Sequence, residues 1–243
     1  MSVHQEADPT AFEWKGRCGP FEMRLSERTF PPSSISLLLG DAIDVADGET
    51  VLDVGCGCGV LGIVSALLGA GRVHGVDSAP DTAEVAEANA QRLGVADRTT
   101  FTSGDLFEPI PDDVVADLVI GDVSGIPDTL ARVSGWFPDG RGGGASGVEL
   151  PVRLVEKAPG WLSDRGRLLL PSGSLQDEQQ LLAAARDTFA HVEKVGERRL
   201  PLPQNIAATS EVEQLWRDGV IDLEPRGSRL LWYARAWYCQ VAA

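Results

Sequence analysis

The sequence predicts an α/β fold in which a mostly parallel β-sheet carries helices on both faces. Apolar strand-like segments alternate with helical segments through residues 50–199, and this alternation is typical of parallel sheets. The segment at residues 51–59 runs from an apolar strand through three glycines at alternate positions into a helix. A strand, a glycine turn and a helix in this order indicate a βαβ unit that binds a ligand at the turn.

Composition limits the class of protein before any motif is considered. The chain has 243 residues, 43% of them hydrophobic, and a formal net charge of −15. This length predicts one large domain, or one domain with a cap. A strongly acidic chain repels phosphate backbones, so we expect no nucleic-acid partner. No apolar run approaches the length of a membrane span and the first residues lack a signal pattern, so we expect a cytoplasmic protein without a membrane partner.

The first 48 residues are predicted to form an irregular arm and a cap helix, ahead of the main domain at residues 49–243. Two prolines at 31–32 prevent a helix from running through them. Ser33 or Ser34 then begins a helix that continues to about Val45, because a serine hydroxyl accepts hydrogen bonds from free N–H groups of the first turn.

The main domain is predicted to continue the alternation. Helices begin after the glycine loop and at Ser78, which we expect to cap its helix. Two longer stretches, at about residues 123–147 and 200–226, are predicted to cover a second ligand. The predicted strands are 50–54, 72–77, 99–103, 116–121, 167–170, 191–199 and 229–239, and the predicted helices are 59–69, 78–94, 149–162, 175–189 and a short one around 215–216.

Three cofactor classes compete for the glycine loop. A dinucleotide site has G-x-G-x-x-G directly after the strand, and here that pattern begins only at Gly57. A nucleoside triphosphate site has a lysine after the glycines, which this loop lacks. The third class, S-adenosylmethionine, has an ammonium group and no phosphates, so its site needs carboxylates. The two cysteines in the loop have C-x-C spacing and no finger-like partners, so we expect no metal site.

Carboxylates follow successive strands in the pattern that the third class requires. Asp53 precedes the loop and can reach an ammonium group. Asp77 ends the next strand, where an acidic residue binds ribose hydroxyls. Asp105 can accept a hydrogen bond from an adenine amino group, and Leu106 can pack on the ring.

Together, Val51–Gly59, Val76-Asp77 and Gly104-Asp105 resemble the successive motifs of class I S-adenosylmethionine-dependent methyltransferases. Within that class the chain looks most like the release-factor glutamine methyltransferases and related small methyltransferases. The resemblance implies a Rossmann-like seven-stranded sheet of order 3-2-1-4-5-7-6 with the last strand antiparallel. It also implies S-adenosylmethionine as cofactor, S-adenosylhomocysteine as product, and a cofactor site formed by Phe30, Asp53, Gly55, Cys56, Gly57, Asp77, Ser78, Asp105, Leu106 and Asp122.

One position departs from that group. Its members have Asn-Pro-Pro-Tyr after the fourth strand, whereas this chain has Asp122 at the asparagine position and no Pro-Pro platform. An ionised Asp only accepts hydrogen bonds and adds negative charge, which favours an aliphatic amine over a planar amide. We therefore expect Asp122 to be the catalytic residue that orients or deprotonates an amine, although Asp122 could instead cap the following turn.

The predicted function is N-methylation of an amine on a small metabolite or a natural-product peptide, in a biosynthetic role. The acceptor pocket is predicted to contain Trp14, Val123, Ser124 and Trp216, because aromatic walls attract a methylammonium group. The alternatives are O-methylation, methylation of a protein side chain such as Gln, an oxidoreductase that uses a dinucleotide, and a binding module without catalysis. The sequence leaves the oligomeric state open.

Overall fold

The computed structural model describes residues 11–25, 28, 30–137 and 140–241. Within those residues the chain forms strands β1 (Ala11–Trp14), β2 (Phe21–Arg24), β3 (Thr50–Val54), β4 (Arg72–Asp77), β5 (Thr99–Ser103), β6 (Ala116–Gly121), β7 (Leu162–Gly173), β8 (His191–Pro201), β9 (Glu224–Arg226) and β10 (Arg229–Gln240). The helices are α1 (Ser34–Ala42), α2 (Val60–Leu67), α3 (Thr82–Arg92), α4 (Asp128–Ser134), α5 (Glu149–Lys157), α6 (Glu178–Thr188), α7 (Gln204–Ala207) and α8 (Ser210–Arg217).

The main sheet confirms the predicted strand order. Its strands lie in the order β5-β4-β3-β6-β7-β10-β8, which is 3-2-1-4-5-7-6 when the main-domain strands other than β9 are counted along the chain. The five strands from β5 to β7 pair in parallel. β10 pairs antiparallel with both β7 and β8. The short β9 lies off this path and pairs with β10.

Three hydrophobic clusters support the sheet. One lies on the face covered by α1, α2 and α3, and a second lies on the opposite face, under α5 and α6. The third joins α4 to the segment after β8, through Leu130, Leu202, Ile206, Val212 and Ile221. The two long stretches predicted to cover a ligand therefore share a core of their own, and that core fixes them beside the sheet.

The N-terminal arm is more regular than the sequence predicts. β1 and β2 form an antiparallel hairpin that is separate from the main sheet. The hairpin is anchored by Asn89 of α3, whose side-chain amide donates hydrogen bonds to the carbonyl oxygens of Arg24 and Cys58 at 2.9 and 3.0 Å. This anchor ties the hairpin to the glycine loop, so the arm is part of the frame of the site.

Several element boundaries differ from the prediction. α3 begins at Thr82 with Asp81 as its N-cap, so Ser78 does not cap that helix and lies in the turn before it. The stretch at 123–147 contains α4. β7 extends on both sides of its apolar centre: residues 167–173 pair with β10, and Leu162 at its start pairs with Ala116 of β6. Among the described residues, no helix is both long and apolar enough to cross a bilayer.

Candidate functional site

A cavity of about 920 Å³ opens where the parallel strands end. Strand order reverses between β3 and β6 in this sheet, and the segments after neighbouring strands separate at such a point and leave a crevice. Pockets that hold small ligands measure roughly 300–1,000 Å³, so this cavity is at the upper end of that range. Its lining includes nearly every predicted cofactor residue, namely Phe30, Gly55, Cys56, Gly57, Asp77, Ser78, Asp105, Leu106 and Asp122.

The glycine loop lies directly against the segment that follows β6. Gly55 has a φ of +83°, and a methyl group there would lie 2.4 Å from the carbonyl oxygen of Asp122. Only glycine combines a left-handed backbone with so close an approach. The loop then enters α2 at Gly59, whose φ is +85°. Because Gly55 has no side chain, the ends of β3 and β6 can lie together at one edge of the cavity.

Asp77 organises the loop as well as lining the cavity. Its carboxylate accepts a hydrogen bond from the backbone N–H of Gly57 and another from that of Ala79, each at 2.9 Å. A carboxylate has about four lone-pair positions, so two remain for a ligand with hydroxyl groups. Asp77 could therefore hold a ribose at the position that the sequence indicates.

Asp105 and Leu106 line the cavity beside Asp77. The Asp105 carboxylate forms an ion pair of 2.6 Å with Arg153 of α5, a partner that the sequence did not predict. Leu106 adopts a φ of +51° and is 5% exposed, which places a branched apolar side chain in the wall. A flat base could pack on this wall.

Asp53 differs from the other carboxylates because it does not line the cavity. Its side chain is fully buried behind the loop, and its Oδ2 accepts a hydrogen bond from the backbone N–H of Gly62 at 2.7 Å. Its Oδ1 is buried without a partner. The pKa of Asp53 is raised to about 7, mainly by burial; the Gly62 hydrogen bond acts in the opposite direction, and the charges of Asp122 and Asp77 add to the rise. In this structure Asp53 holds the start of α2 and has no direct path to a ligand.

Asp122 is the residue that α1 holds in place. It follows β6, lines the cavity and accepts a hydrogen bond of 2.9 Å from the Ser36 hydroxyl group. Burial raises the pKa of the Asp122 carboxyl to about 6, the charge of Asp77 adds to this, and the Ser36 hydrogen bond acts in the opposite direction. This carboxylate is ionised at neutral pH and still close enough to its pKa to accept a proton.

Part of the cavity lining is apolar and aromatic. Val123 and Ser124, which the sequence assigns to an acceptor pocket, line the cavity, and Phe30 stacks on Phe137 with ring centroids 4.9 Å apart. Further lining residues that sequence reasoning missed come from both long stretches and from β10: Ile126, Trp136, Phe137, Leu200, Pro201, Pro203 and Trp232. The tryptophan-phenylalanine pair at 136–137 was a signal in the sequence, because large apolar residues are unusual in an exposed loop.

The two tryptophans predicted to line the pocket lie elsewhere. Trp14 is fully buried under α1, and its indole N–H donates to the carbonyl oxygen of Arg17 at 3.0 Å. Trp216 is partly buried on α8, against the cluster that joins α4 to the segment after β8. Both assignments to the pocket are corrected by these positions, because neither side chain is among the residues that line the cavity.

Solved structures with the same architecture identify the fold. A Thermus thermophilus 16S rRNA methyltransferase, in complex with its methyl donor and guanosine, superposes on 95% of this chain and 50% of its own with a TM-score of 0.64 at 15% identity. A ribosomal protein L11 methylase from Lactobacillus delbrueckii covers 84% of this chain and 76% of its own with a TM-score of 0.50 at 17% identity. The chain has a methyltransferase fold. At these identities the likeness concerns the fold alone.

Sequence comparison matches the part of the methyltransferase fold that contains the predicted cofactor residues. The family model for ribosomal protein L11 methyltransferase matches residues 30–135. An Aeromonas hydrophila enzyme of that name is 41% identical over 97 residues, or 39% of this chain and 31% of its own length. One from Pelotomaculum thermopropionicum is 39% identical over 117 residues, or 48% of this chain and 36% of its own. The chain thus spans about a third of the length of these relatives.

The relatives correct one expectation about partners. We expected a small-molecule or peptide acceptor and no nucleic-acid partner, whereas the relatives that match the methyltransferase fold are named for a ribosomal protein. That expectation is therefore wrong on both points. The net charge of −15 misled because repulsion of phosphate backbones does not exclude a basic protein as partner. The narrower resemblance to the release-factor group stays a prediction.

Proposed function

We propose that this protein is an S-adenosylmethionine-dependent methyltransferase that methylates an amine nitrogen of a protein. The methyltransferase fold, the matching family model and the relatives named as methyltransferases support the enzyme class and the cofactor. One observation carries the choice of an amine: the Asp122 carboxylate lines the cavity beside the glycine loop. An asparagine at that position could donate a hydrogen bond to a planar amide, but an ionised aspartate only accepts.

The cavity contains the groups that the cofactor requires. Asp77 would hold the ribose hydroxyls, Leu106 would pack on the adenine, and the glycine loop would lie against the amino-acid end. S-adenosylmethionine supplies a methyl group that is already activated on a sulfonium. The residues of this chain therefore need only to bind the two reactants, align them and remove a proton. Alignment alone accounts for a large part of such a rate enhancement.

Asp122 would perform the proton step. An anion beside an ammonium group raises the pKa of the amine and opposes its deprotonation. Asp122 overcomes this by accepting the proton itself, after which the neutral nitrogen has a free lone pair for the methyl group. A base works best when its pKa is near the working pH, and burial raises the pKa of Asp122 to about 6, towards that optimum.

A protein acceptor is consistent with the charge of the chain and with the relatives. The relatives take their name from methylation of a ribosomal protein. The net charge of −15 attracts a basic protein and speeds its encounter with the enzyme. The aromatic wall formed by Trp136, Phe137 and Trp232 would hold the aliphatic part of the residue that carries the amine, and would stabilise the methylated ammonium through cation–π attraction.

Replacement of Asp122 by asparagine tests the proton step. The amide keeps the shape and can still accept from Ser36, but it cannot take a proton at neutral pH. We expect the D122N variant to lose about 10²-fold or more in kcat, the usual range for a general base, while calorimetry gives a similar Kd for S-adenosylhomocysteine. The matched control is D97N, an exposed Asp paired with Arg98, which should retain full activity. Equal turnover in D122N and wild type would remove Asp122 from the mechanism.

The acceptor is tested by offering purified ribosomal protein L11, alone and in assembled ribosomes, with S-adenosylmethionine as donor. We expect the mass of the protein to increase by whole methyl groups, and fragment spectra should assign these to nitrogen. A methyl group released by mild base would identify a carboxylate ester and contradict N-methylation. Binding of S-adenosylhomocysteine without transfer to any ribosomal protein would contradict the proposed acceptor class.

A further inference from the structure

The hydroxyl group of Ser36 has two hydrogen bonds that fix its direction. As donor it gives its single proton to Oδ2 of Asp122 at 2.9 Å, and as acceptor it takes the backbone N–H of Ser33 at 3.2 Å. Ser33 is the N-cap of α1 and its own side chain accepts from the N–H of Ile35 at 3.1 Å. Ser36 is 6% exposed, so water competes little for these bonds. The helix start therefore aims this hydroxyl at the carboxylate.

We propose that Ser36 is the positioning residue for Asp122, and that the first turn of α1 holds this carboxylate in place in the cavity wall and keeps it ionised. A hydroxyl donor stabilises the charged form of a carboxylate and not the protonated form. The inference deepens the proposed function and rests on it for its effect on catalysis. The contact between Ser36 and Asp122 is independent of which substrate is used.

The other charged groups around Asp122 make this donor necessary. The charge of Asp77 at the end of β4 raises the pKa of Asp122 in addition to burial. Asp105 is paired with Arg153, and Arg28 and Arg141 line the same cavity. Without the Ser36 hydroxyl, burial and the Asp77 carboxylate would both favour the protonated form of Asp122, in which it could not act as a base.

The first experiment measures the titration of Asp122 directly, without turnover. The carboxyl carbon of Asp122 is followed by ¹³C NMR between pH about 4 and about 9, and its resonance is assigned by its loss in D122N. A hydrogen bond to a charged group contributes enough to shift a pKa by about one unit. We expect S36A to raise the Asp122 midpoint by about that much.

The matched control is S33A. It removes the side-chain cap of the same helix and leaves the Ser36–Asp122 bond in place, so it should lower the melting temperature as S36A does and leave the Asp122 midpoint at the wild-type value. Identical midpoints in S36A and wild type overturn the proposal, and so does a shift in S33A as large as that in S36A.

The second experiment measures kcat against pH. If Asp122 must be ionised, the acid limb of the pH profile moves to higher pH in S36A by the same amount as the midpoint measured by NMR. For a shift of about one unit, kcat at pH values below the limb is about tenfold lower than in wild type. An NMR shift with no methyl transfer in any variant, wild type included, supports the Ser36 contact and defeats the proposed function instead. An active wild-type enzyme whose acid limb is unmoved in S36A overturns the role of Ser36 in catalysis.

Discussion

At the scale of single residues, three aspartates at the strand ends have three different environments. Asp77 lines the cavity and stabilises the glycine loop, Asp122 lines the cavity and accepts a hydrogen bond from Ser36, and Asp53 is fully buried. The sequence predicted that all three would serve the ligands, with Asp53 reaching the cofactor directly or through water. Spacing locates a residue at the end of a strand, but the side of the loop that its carboxylate faces depends on packing, which spacing does not encode.

The buried carboxyl of Asp53 predicts an unusual dependence of stability on pH. Its pKa is raised to about 7 in the folded protein, against about 3.9 in an unfolded chain. The folded state therefore binds this proton more tightly, and the stability it contributes is complete below pH about 4 and is lost as the pH rises through about 7. We expect the melting temperature to fall between pH about 5 and about 8 in wild type.

The D53N variant should flatten that curve, because a neutral amide can accept from Gly62 without titrating. The measurement is differential scanning calorimetry across the same pH range, with the exposed D97N variant as control. Curves for D53N and wild type that run parallel would show that Asp53 is not the titrating group.

Replacement of Gly55 by alanine should have a much larger effect on cofactor binding than replacement of Gly48. G55A places a methyl group 2.4 Å from the Asp122 carbonyl oxygen, so the loop and Asp122 must move apart. Gly48 has a similar φ of +84° with no atom within 4 Å of the added methyl group, so G48A isolates the cost of the backbone conformation, roughly 1–2 kcal/mol. We expect G55A to abolish binding of S-adenosylhomocysteine in calorimetry and G48A to retain it. Binding by G55A at wild-type affinity would contradict the close approach.

At the scale of elements, the alternating segments were the most predictable part of the chain. β3 to β6 match their predicted positions, and α2 and α3 lie within their predicted ranges, because apolar runs and glycines agree there. The start of α3 was misplaced because Ser78 resembles a capping residue, whereas the N-cap is Asp81. The β1–β2 hairpin was missed because each strand has four residues, too few for a period to be recognised. α4 was missed because glycines and prolines surround a single helical segment of seven residues.

The position of Trp14 in the hairpin predicts an effect on stability and none on acceptor binding. Its ring is enclosed so closely that a methyl group at Gly16 would lie 2.3 Å from it. Loss of a buried Trp side chain costs about 3–5 kcal/mol, so W14A should lower the melting temperature strongly. W216A, at a partly buried position, should lower it less. At a temperature where W14A is folded, its KM for the acceptor should equal that of wild type. A raised KM would indicate that Trp14 contributes to the acceptor pocket after all.

At the scale of the whole molecule, the strand order was predictable only through the family resemblance. Local pattern gives the strands and helices, but it does not state that β10 enters between β7 and β8. The apolar and aromatic part of the cavity lining was the least predictable, since it comes from three segments distant in sequence: the stretch around Trp136 and Phe137, the residues at and after the end of β8, and Trp232 of β10. Trp136 and Trp232 pack against the third hydrophobic cluster, a long-range contact that local sequence patterns do not show.

The net charge of −15 predicts that methylation of a basic protein depends on salt. Charges are screened within about 10 Å at 0.1 M salt and about 3 Å at 1 M. Raising the salt concentration across that range should therefore increase KM for the protein acceptor several-fold, with little change in the Kd for S-adenosylhomocysteine, whose site is enclosed. Initial rates at each salt concentration, with calorimetry as control, give both values. A KM that is constant across the range would contradict electrostatic attraction.

The antiparallel position of β10 has a consequence for folding during synthesis. β8 has β10 as its neighbour in the sheet, so β8 lacks a hydrogen-bonding partner until residues 229–240 have left the ribosomal tunnel. The five parallel strands β3 to β7 can assemble earlier, because they neighbour one another in the sheet and domains fold as their residues emerge. A released chain truncated before residue 229 should therefore resist protease through β7 and be cleaved within residues 191–201.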